Sequence, residues 1–203
     1  MRILSVFGTR PEAIKMAPVI QALGSDSYFD SLVCVTAQHR DMLDSVLNLF
    51  SITPDFDLDI MKANQNLSYI TTAVLNGLTK IFKQANPDRI LVHGDTTTTF
   101  AASLAAFYAN IPVGHVEAGL RSGNIHAPWP EEMNRRLADT ICDMLFTPTA
   151  SSRLNLINSG FSNESIFVTG NTVIDALLHI SQRLDNKNYP EKEFHAKFPK
   201  LSR

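Results

Sequence analysis

Leu91-Val92-His93-Gly94-Asp95-Thr96-Thr97-Thr98-Thr99 decides the fold, because it passes from strand to helix through a single glycine turn. The run Arg89–His93 is short and apolar, Gly94-Asp95 breaks it, and a helical pattern begins near Thr96. No formal charge occurs between Asp95 and Glu117. The apolar part, residues 100–109, is nevertheless too short to span a bilayer, and Pro112, Gly114 and His115 follow it. A strand that enters a helix directly is half of a βαβ unit, which requires parallel neighbours.

The same alternation extends in both directions. Strands are expected at residues 2–7, 32–36, 89–93, 111–116, 144–147 and 166–169, and helices starting near Arg10, His39, Leu67, Thr96, Pro130, Thr149 and Asn171. The strands are almost wholly apolar, as expected when helices cover both faces of a sheet. The predicted fold is α/β, a doubly wound parallel sheet of Rossmann-like type, over residues 1–184, with a linker or tail over 185–203. Composition agrees: 203 residues, 44% hydrophobic and 19% charged, supply a real core and exclude intrinsic disorder. A net charge of −2 removes the electrostatic case for a general nucleic-acid binder. Cys34 and Cys142 show no C-x-x-C spacing and read as buried thiols of a reducing compartment. The sequence reaches Gly8-Thr9-Arg10 before any signal-peptide core forms, and the reading is a soluble, cytoplasmic chain with no membrane segment.

Polar residues gather where strands end: Gly8-Thr9-Arg10, Gln38-His39-Arg40, Gly94-Asp95, Glu117-Ala118-Gly119 and Gly170-Asn171. Ligands of open parallel sheets bind at the carboxyl edge of the strands, so five loops are expected to converge on one site. Gly8 to Glu12 with Lys15 reads as an anion cradle, in which free N–H groups and a positive dipole end face the ligand; the alternative is a tight turn with two solvated cations. Thr9 and Glu12 also fit a capping box. Asp95, Glu117 and Glu131 are the candidate acid/base carboxylates, since carboxylates in one cleft have their pKa values pushed apart. Asp95 could instead cap the following helix. Glu131 and Glu132 suit a first helical turn, and i,i+4 pairs with Arg135 and Arg136 are the bland account of all four. A dinuclear metal site from His93, Asp95, His115, Glu117 and His126 is the weaker alternative, because no H-x-H or H-D motif is present. Trp129, between Pro128 and Pro130, reads as a packing anchor or a sugar-stacking surface.

Five motifs then stand in order: Val6-Phe7-Gly8-Thr9-Arg10-Pro11-Glu12, Leu91 to Thr99, His115-Val116-Glu117-Ala118-Gly119-Leu120-Arg121, Pro130-Glu131-Glu132-Met133-Asn134-Arg135 and Val168-Thr169-Gly170-Asn171-Thr172-Val173-Ile174-Asp175-Ala176. Together they resemble the N-terminal half of the bacterial non-hydrolysing UDP-N-acetylglucosamine 2-epimerases, from Met1 to roughly Leu184. The resemblance implies a two-domain glycosyltransferase-B-like fold with its active site in the interdomain cleft. It implies reversible conversion of UDP-GlcNAc to UDP-ManNAc for surface-polysaccharide synthesis, no metal or redox cofactor, and a homodimer. Asp95, Glu117 and Glu131 become the catalytic candidates, while Arg10, Lys15, Asp95 and Glu117 bind the nucleotide sugar. The implied route eliminates UDP to give 2-acetamidoglucal, then adds it back with the proton delivered to the opposite face of C2.

The family's C-terminal domain holds most uridine and diphosphate contacts and a further catalytic histidine, so this chain alone is expected to be inactive, with an apolar face exposed where that domain docks. Gln38 matches the allosteric site of regulated members. Asp41 and Asn64 stand where those members carry Gln and Arg, which argues against activation. Competing readings are the hydrolysing relative that releases ManNAc and UDP, a non-catalytic nucleotide-sugar or partner-binding module, and a metal-dependent phosphoesterase.

Overall fold

A computed structural model describes residues 1–37 and 40–185. The elements run β1 (Arg2–Phe7), α1 (Arg10–Ser25), β2 (Asp30–Val35), α2 (Arg40–Phe50), β3 (Phe56–Asp57), α3 (Leu67–Ala85), β4 (Arg89–His93), α4 (Thr97–Tyr108), β5 (Val113–Val116), α5 (Glu131–Ile141), β6 (Met144–Thr147), α6 (Ala150–Asn158), β7 (Ile166–Val168) and α7 (Thr172–Asp185). All pairings are parallel, in the order β3-β2-β1-β4-β5-β6-β7. Every strand therefore ends on one edge, and the order reverses between β1 and β4, the switch point where such sheets bind ligands. The expected tail over 185–203 lies outside the described residues beyond Asp185.

Side-chain alternation along the strands feeds two cores. Leu4, Val6, Ile90 and Val92 pack with Val74, Leu78 and Ala102 on one face, whereas Ile3, Phe7, Leu91 and Val116 pack with Met16, Leu43 and Ala176 on the other. β1 and β4 carry apolar residues toward both layers, which is why no polar alternation was visible in them. Cys34 and Cys142 are buried free thiols, and burial pushes Cys34 up to about 12. No described helix is long and apolar enough to cross a membrane.

Four strand boundaries differ from the sequence reading, which also lacks one strand. β2 begins two residues earlier and ends one residue earlier, at Val35, β5 begins only at Val113, and β7 ends at Val168. The two-residue edge strand β3 has no hydrophobic run to announce it and exists because Cys34 and Val35 offer it a partner. α1 runs through Pro18 as one helix. Thr96, not Asp95, caps α4, accepting from the Thr99 N–H through its side chain.

Glu12 joins the first and fourth strands. Its carboxylate is buried and accepts from the Gly8 and Thr9 N–H groups and the Thr9 hydroxyl through one oxygen. The other oxygen accepts from the Thr96 hydroxyl at 2.7 Å and the Thr99 hydroxyl at 3.2 Å. Gly8 is needed for close approach, since a Cβ there would lie 2.1 Å from Thr36 Oγ1.

Glu12→Ala would strand those donors, and urea unfolding is expected to show a loss of ~3 kcal/mol or more, because a buried orphan costs ~1–3 kcal/mol. Glu12→Gln keeps an acceptor for the two N–H groups and offers its amide to the hydroxyls, so its loss is smaller. Burial raises the Glu12 carboxyl above its usual 4.5, outweighing the hydrogen bonds from Thr96, Gly8 and Thr9. The folded chain then holds a proton that the unfolded chain has released, so this group's contribution to stability falls as pH rises above 4.5. Stability measured against pH should lose that slope in Glu12→Gln; an unchanged slope would assign it to another group.

Candidate active site

At the carboxyl edge of the sheet Glu117 gathers three partners, of which Lys15 is a predicted site residue. Glu117 follows β5 with φ +68°, a left-handed conformation that a glutamate adopts only when its surroundings hold it there. Lys15 Nζ, from α1, lies 2.5 Å from Glu117 Oε1. Asn171, at the entrance to α7, donates to the same oxygen at 3.4 Å. His93 Nε2, at the end of β4, lies 3.5 Å from Oε2. Three chain segments distant in sequence therefore aim one carboxylate, whose side chain is only 12% exposed.

His93 is itself buried, and neither ring nitrogen has a hydrogen-bond partner among the described residues. Burial, then the positive charges of Lys15 and His115, push its pKa down to about 3, so the ring is neutral. A neutral imidazole beside Glu117 can present N–H to the carboxylate without competing with Lys15 for its charge.

Asp95 follows the Gly94 turn and is half-buried. Its carboxylate is gripped by the Arg135 guanidinium, and its backbone carbonyl accepts from Asn134 Nδ2 at 3.0 Å. Arg135 also reaches Glu132 Oε2 at 3.0 Å, and Arg136 reaches Glu132 Oε1 at 2.9 Å. Burial would raise the fully buried Glu132, but the Ser122 N–H, Arg136 and Arg135 together hold it below the usual carboxylate range. The predicted salt-bridge set thus forms around Glu132 alone. Glu131 does not pair with Arg135, which turns toward Asp95. The Glu131 side chain, half-buried at the start of α5, makes no hydrogen bond or ion pair among the described residues.

Three further expectations are corrected. The Gly8 and Thr9 N–H groups do not face a ligand, since Glu12 already occupies them. Of the cradle, Arg10 remains as an exposed cation at the start of α1 and Lys15 as the partner of Glu117. Trp129 is not a packing anchor: it is 66% exposed. Arg40 leaves the edge for Asp57 and Asp59 beside β3, so the second loop contributes no contact to this cluster among the described residues. Gln38, the allosteric candidate, lies outside the described residues.

The histidines and carboxylates proposed as a metal set do not gather as one; among the described residues no three His, Cys, Asp or Glu side chains form a ligand cluster. His115 is instead committed to Asp139 and to the Gly94 carbonyl. Sequence reasoning missed Arg135 as a partner of Asp95 and weighed His93 only as a metal ligand. The Asn134-Arg135 pair following two glutamates was the available signal, but the nearer i,i+4 partner concealed its real one.

A contrast follows between two positions one helical turn apart in α5. Arg135→Ala deprives a buried carboxylate of one partner and should cost ~2 kcal/mol in chemical unfolding. Glu131→Gln, having no partner to lose, should change stability by less than ~0.5 kcal/mol. Equal losses at both positions would mean that Glu131 has a structural partner.

Comparison with known proteins gives this geometry a context. Residues 21–200 match the family model described as UDP-N-acetylglucosamine 2-epimerase. The chain is 55% identical over 199 residues to the UDP-N-acetylglucosamine 2-epimerase of Escherichia coli K12, covering 98% of this chain and 53% of that protein. It is similar to the crystal structure of UDP-GlcNAc 2-epimerase from Neisseria meningitidis bound to UDP-GlcNAc, with 53% identity and a TM-score of 0.93 over 100% of this chain and 55% of that one. The Methanocaldococcus jannaschii enzyme in complex with UDP-GlcNAc and UDP is 34% identical, with a TM-score of 0.88 over 97% of this chain and 54% of that one. A lipopolysaccharide outer core galactosyltransferase, 15% identical with a TM-score of 0.59, shares the fold alone. This chain spans about half the length of the curated relatives it matches. It belongs to the UDP-N-acetylglucosamine 2-epimerase family.

Proposed function

We propose that this chain supplies the N-terminal half of the site that interconverts UDP-GlcNAc and UDP-ManNAc, the other half coming from a C-terminal domain. The observation that carries this reading is Glu117, a largely desolvated carboxylate at φ +68° held by Lys15 and Asn171 beside a neutral His93. Backbone strain spent on aiming one carboxylate into a sheet-edge crevice is a mark of function rather than of folding.

The C2 hydrogen of the sugar is not next to a carbonyl, so its removal must be coupled to departure of UDP. A carboxylate takes the proton from C2, the C1–O bond breaks toward UDP, and 2-acetamidoglucal remains. UDP then adds back at C1 as a proton enters the opposite face of C2. Acid and base roles fall to Asp95, Glu117 and Glu131, which have three different environments: a guanidinium for Asp95, an ammonium for Glu117 and no partner for Glu131. Arg10 and Lys15 serve the anionic nucleotide sugar, with Arg10 at the positive end of α1. No metal or redox cofactor is called for by this route.

Support for a second domain comes from α7 and β7. Phe167, Val168, Val173, Ile174, Leu177 and Leu178 are all exposed, an apolar surface that a monomeric domain ordinarily covers. A homodimer, as in the family, is the proposed assembly.

The test is proton NMR in D2O with UDP-GlcNAc, using this chain alone and fused to the C-terminal half of the Escherichia coli relative. The chain alone should be silent, and the fusion should give UDP-ManNAc carrying deuterium at C2. Glu117→Gln in the fusion is expected to lower kcat by ~10²–10⁴-fold, the range of general acid–base catalysis. Free ManNAc with UDP as the end products would point to the hydrolysing reaction instead, and turnover by the chain alone would refute dependence on the second domain.

A further inference from the structure

Two histidines lie one register step apart where neighbouring central strands end, His93 as the last residue of β4 and His115 as the last but one of β5, with Val92 opposite His115 and His93 opposite Val116. Their surroundings are opposite in kind. His93 has no hydrogen-bond partner among the described residues, whereas both nitrogens of the fully buried His115 are engaged. His115 Nδ1 lies 2.6 Å from Asp139 Oδ1, and Nε2 lies 2.7 Å from the Gly94 carbonyl oxygen.

A carbonyl oxygen only accepts, so Nε2 must carry a hydrogen. The Asp139 carboxyl is ionised, because Arg121 Nη1 lies 2.7 Å from its second oxygen. An ionised carboxylate also only accepts, so Nδ1 must carry a hydrogen as well. A neutral ring would set a bare lone pair against an oxygen at one of these two short contacts. The other titratable groups in the neighbourhood do not alter this count: His93 is neutral, and burial raises the Cys142 thiol.

We propose that His115 is a buried, doubly protonated imidazolium that fixes the Gly94 carbonyl and so acts as the positioning residue for Asp95. Arg121, Asp139 and His115 then form a line with one net positive charge behind the site. Asp95 is held on both sides of its own peptide units: His115 grips the carbonyl before it, Asn134 the carbonyl after it, and Arg135 its side chain. Gly94 has φ +69°, so without these grips its peptide could rotate and carry Asp95 out of line with Glu117. The consequence for catalysis rests on the function proposed above; the charge state does not.

The experiment is a long-range proton–nitrogen correlation spectrum of the whole chain with 15N-labelled histidine at about pH 8, where an ordinary imidazole of pKa ~6.5 is almost wholly neutral. The six histidines are assigned by single His→Gln variants, and if His115→Gln does not fold, the other five variants assign it by difference. The expected spectrum shows hydrogens on both nitrogens of His115 and on one nitrogen of His93. A bare nitrogen on His115 overturns the proposal. Asp139→Asn keeps the shape and removes the charge; it should leave His115 with a single N–H and move the Gly94 carbonyl 13C resonance. An unmoved Gly94 resonance overturns the positioning role. Neither readout needs substrate, so a failure of the epimerase reading leaves both intact and is distinguishable from a failure here.

Discussion

A buried carboxylate without a cation, Glu12, is the constraint on which the sheet edge depends. It accepts from the β1–α1 turn with one oxygen and from two threonines of the β4–α4 turn with the other. Those two turns flank the switch point of the sheet, so their spacing sets the width of the crevice. Five donors stand in for the counter-ion. Were the two strand ends free to drift, Lys15 would lose its reach to Glu117 and Asp95 its line to Arg135.

Four other carboxylates at the sheet edge and in the helix that follows differ in how their charge is met. Glu132 is a structural anchor, sealed beneath Arg135 and Arg136. Asp95 shares Arg135 with it, and Glu117 takes Lys15. Glu131 is left over, at a helix start where the dipole suits a negative charge. Arg121 and His115 pair in turn with the fully buried Asp139.

How much of this was legible depends on whether the signal was local. Strands β1, β4 and β6 were readable to the residue, because an apolar run between a turn and a glycine has few other solutions. β3 was not readable, since two residues carry no pattern and pairing with β2 creates them. Asp95 and Glu117 are legible as strand-end polar residues, and Lys15 as the cation one turn along the helix that follows β1. Of the two readings of Trp129 only the packing anchor fails, because a tryptophan between prolines is rigid and rigidity says nothing of which way the ring faces.

The sequence by itself determined the doubly wound sheet, the polar residues at its strand ends and the family, since periodicity, turn residues and ordered motifs are properties of neighbours along the chain. Only the tertiary structure decided partners. It turned the Gly8–Thr9 N–H groups inward to Glu12, sent Arg135 to Asp95 across 40 residues, and set His93 and His115 in opposite surroundings one step apart. Electrostatic pairing is a matter of distance in space, so a side chain takes the opposite charge that the fold brings closer, however far away it lies in sequence.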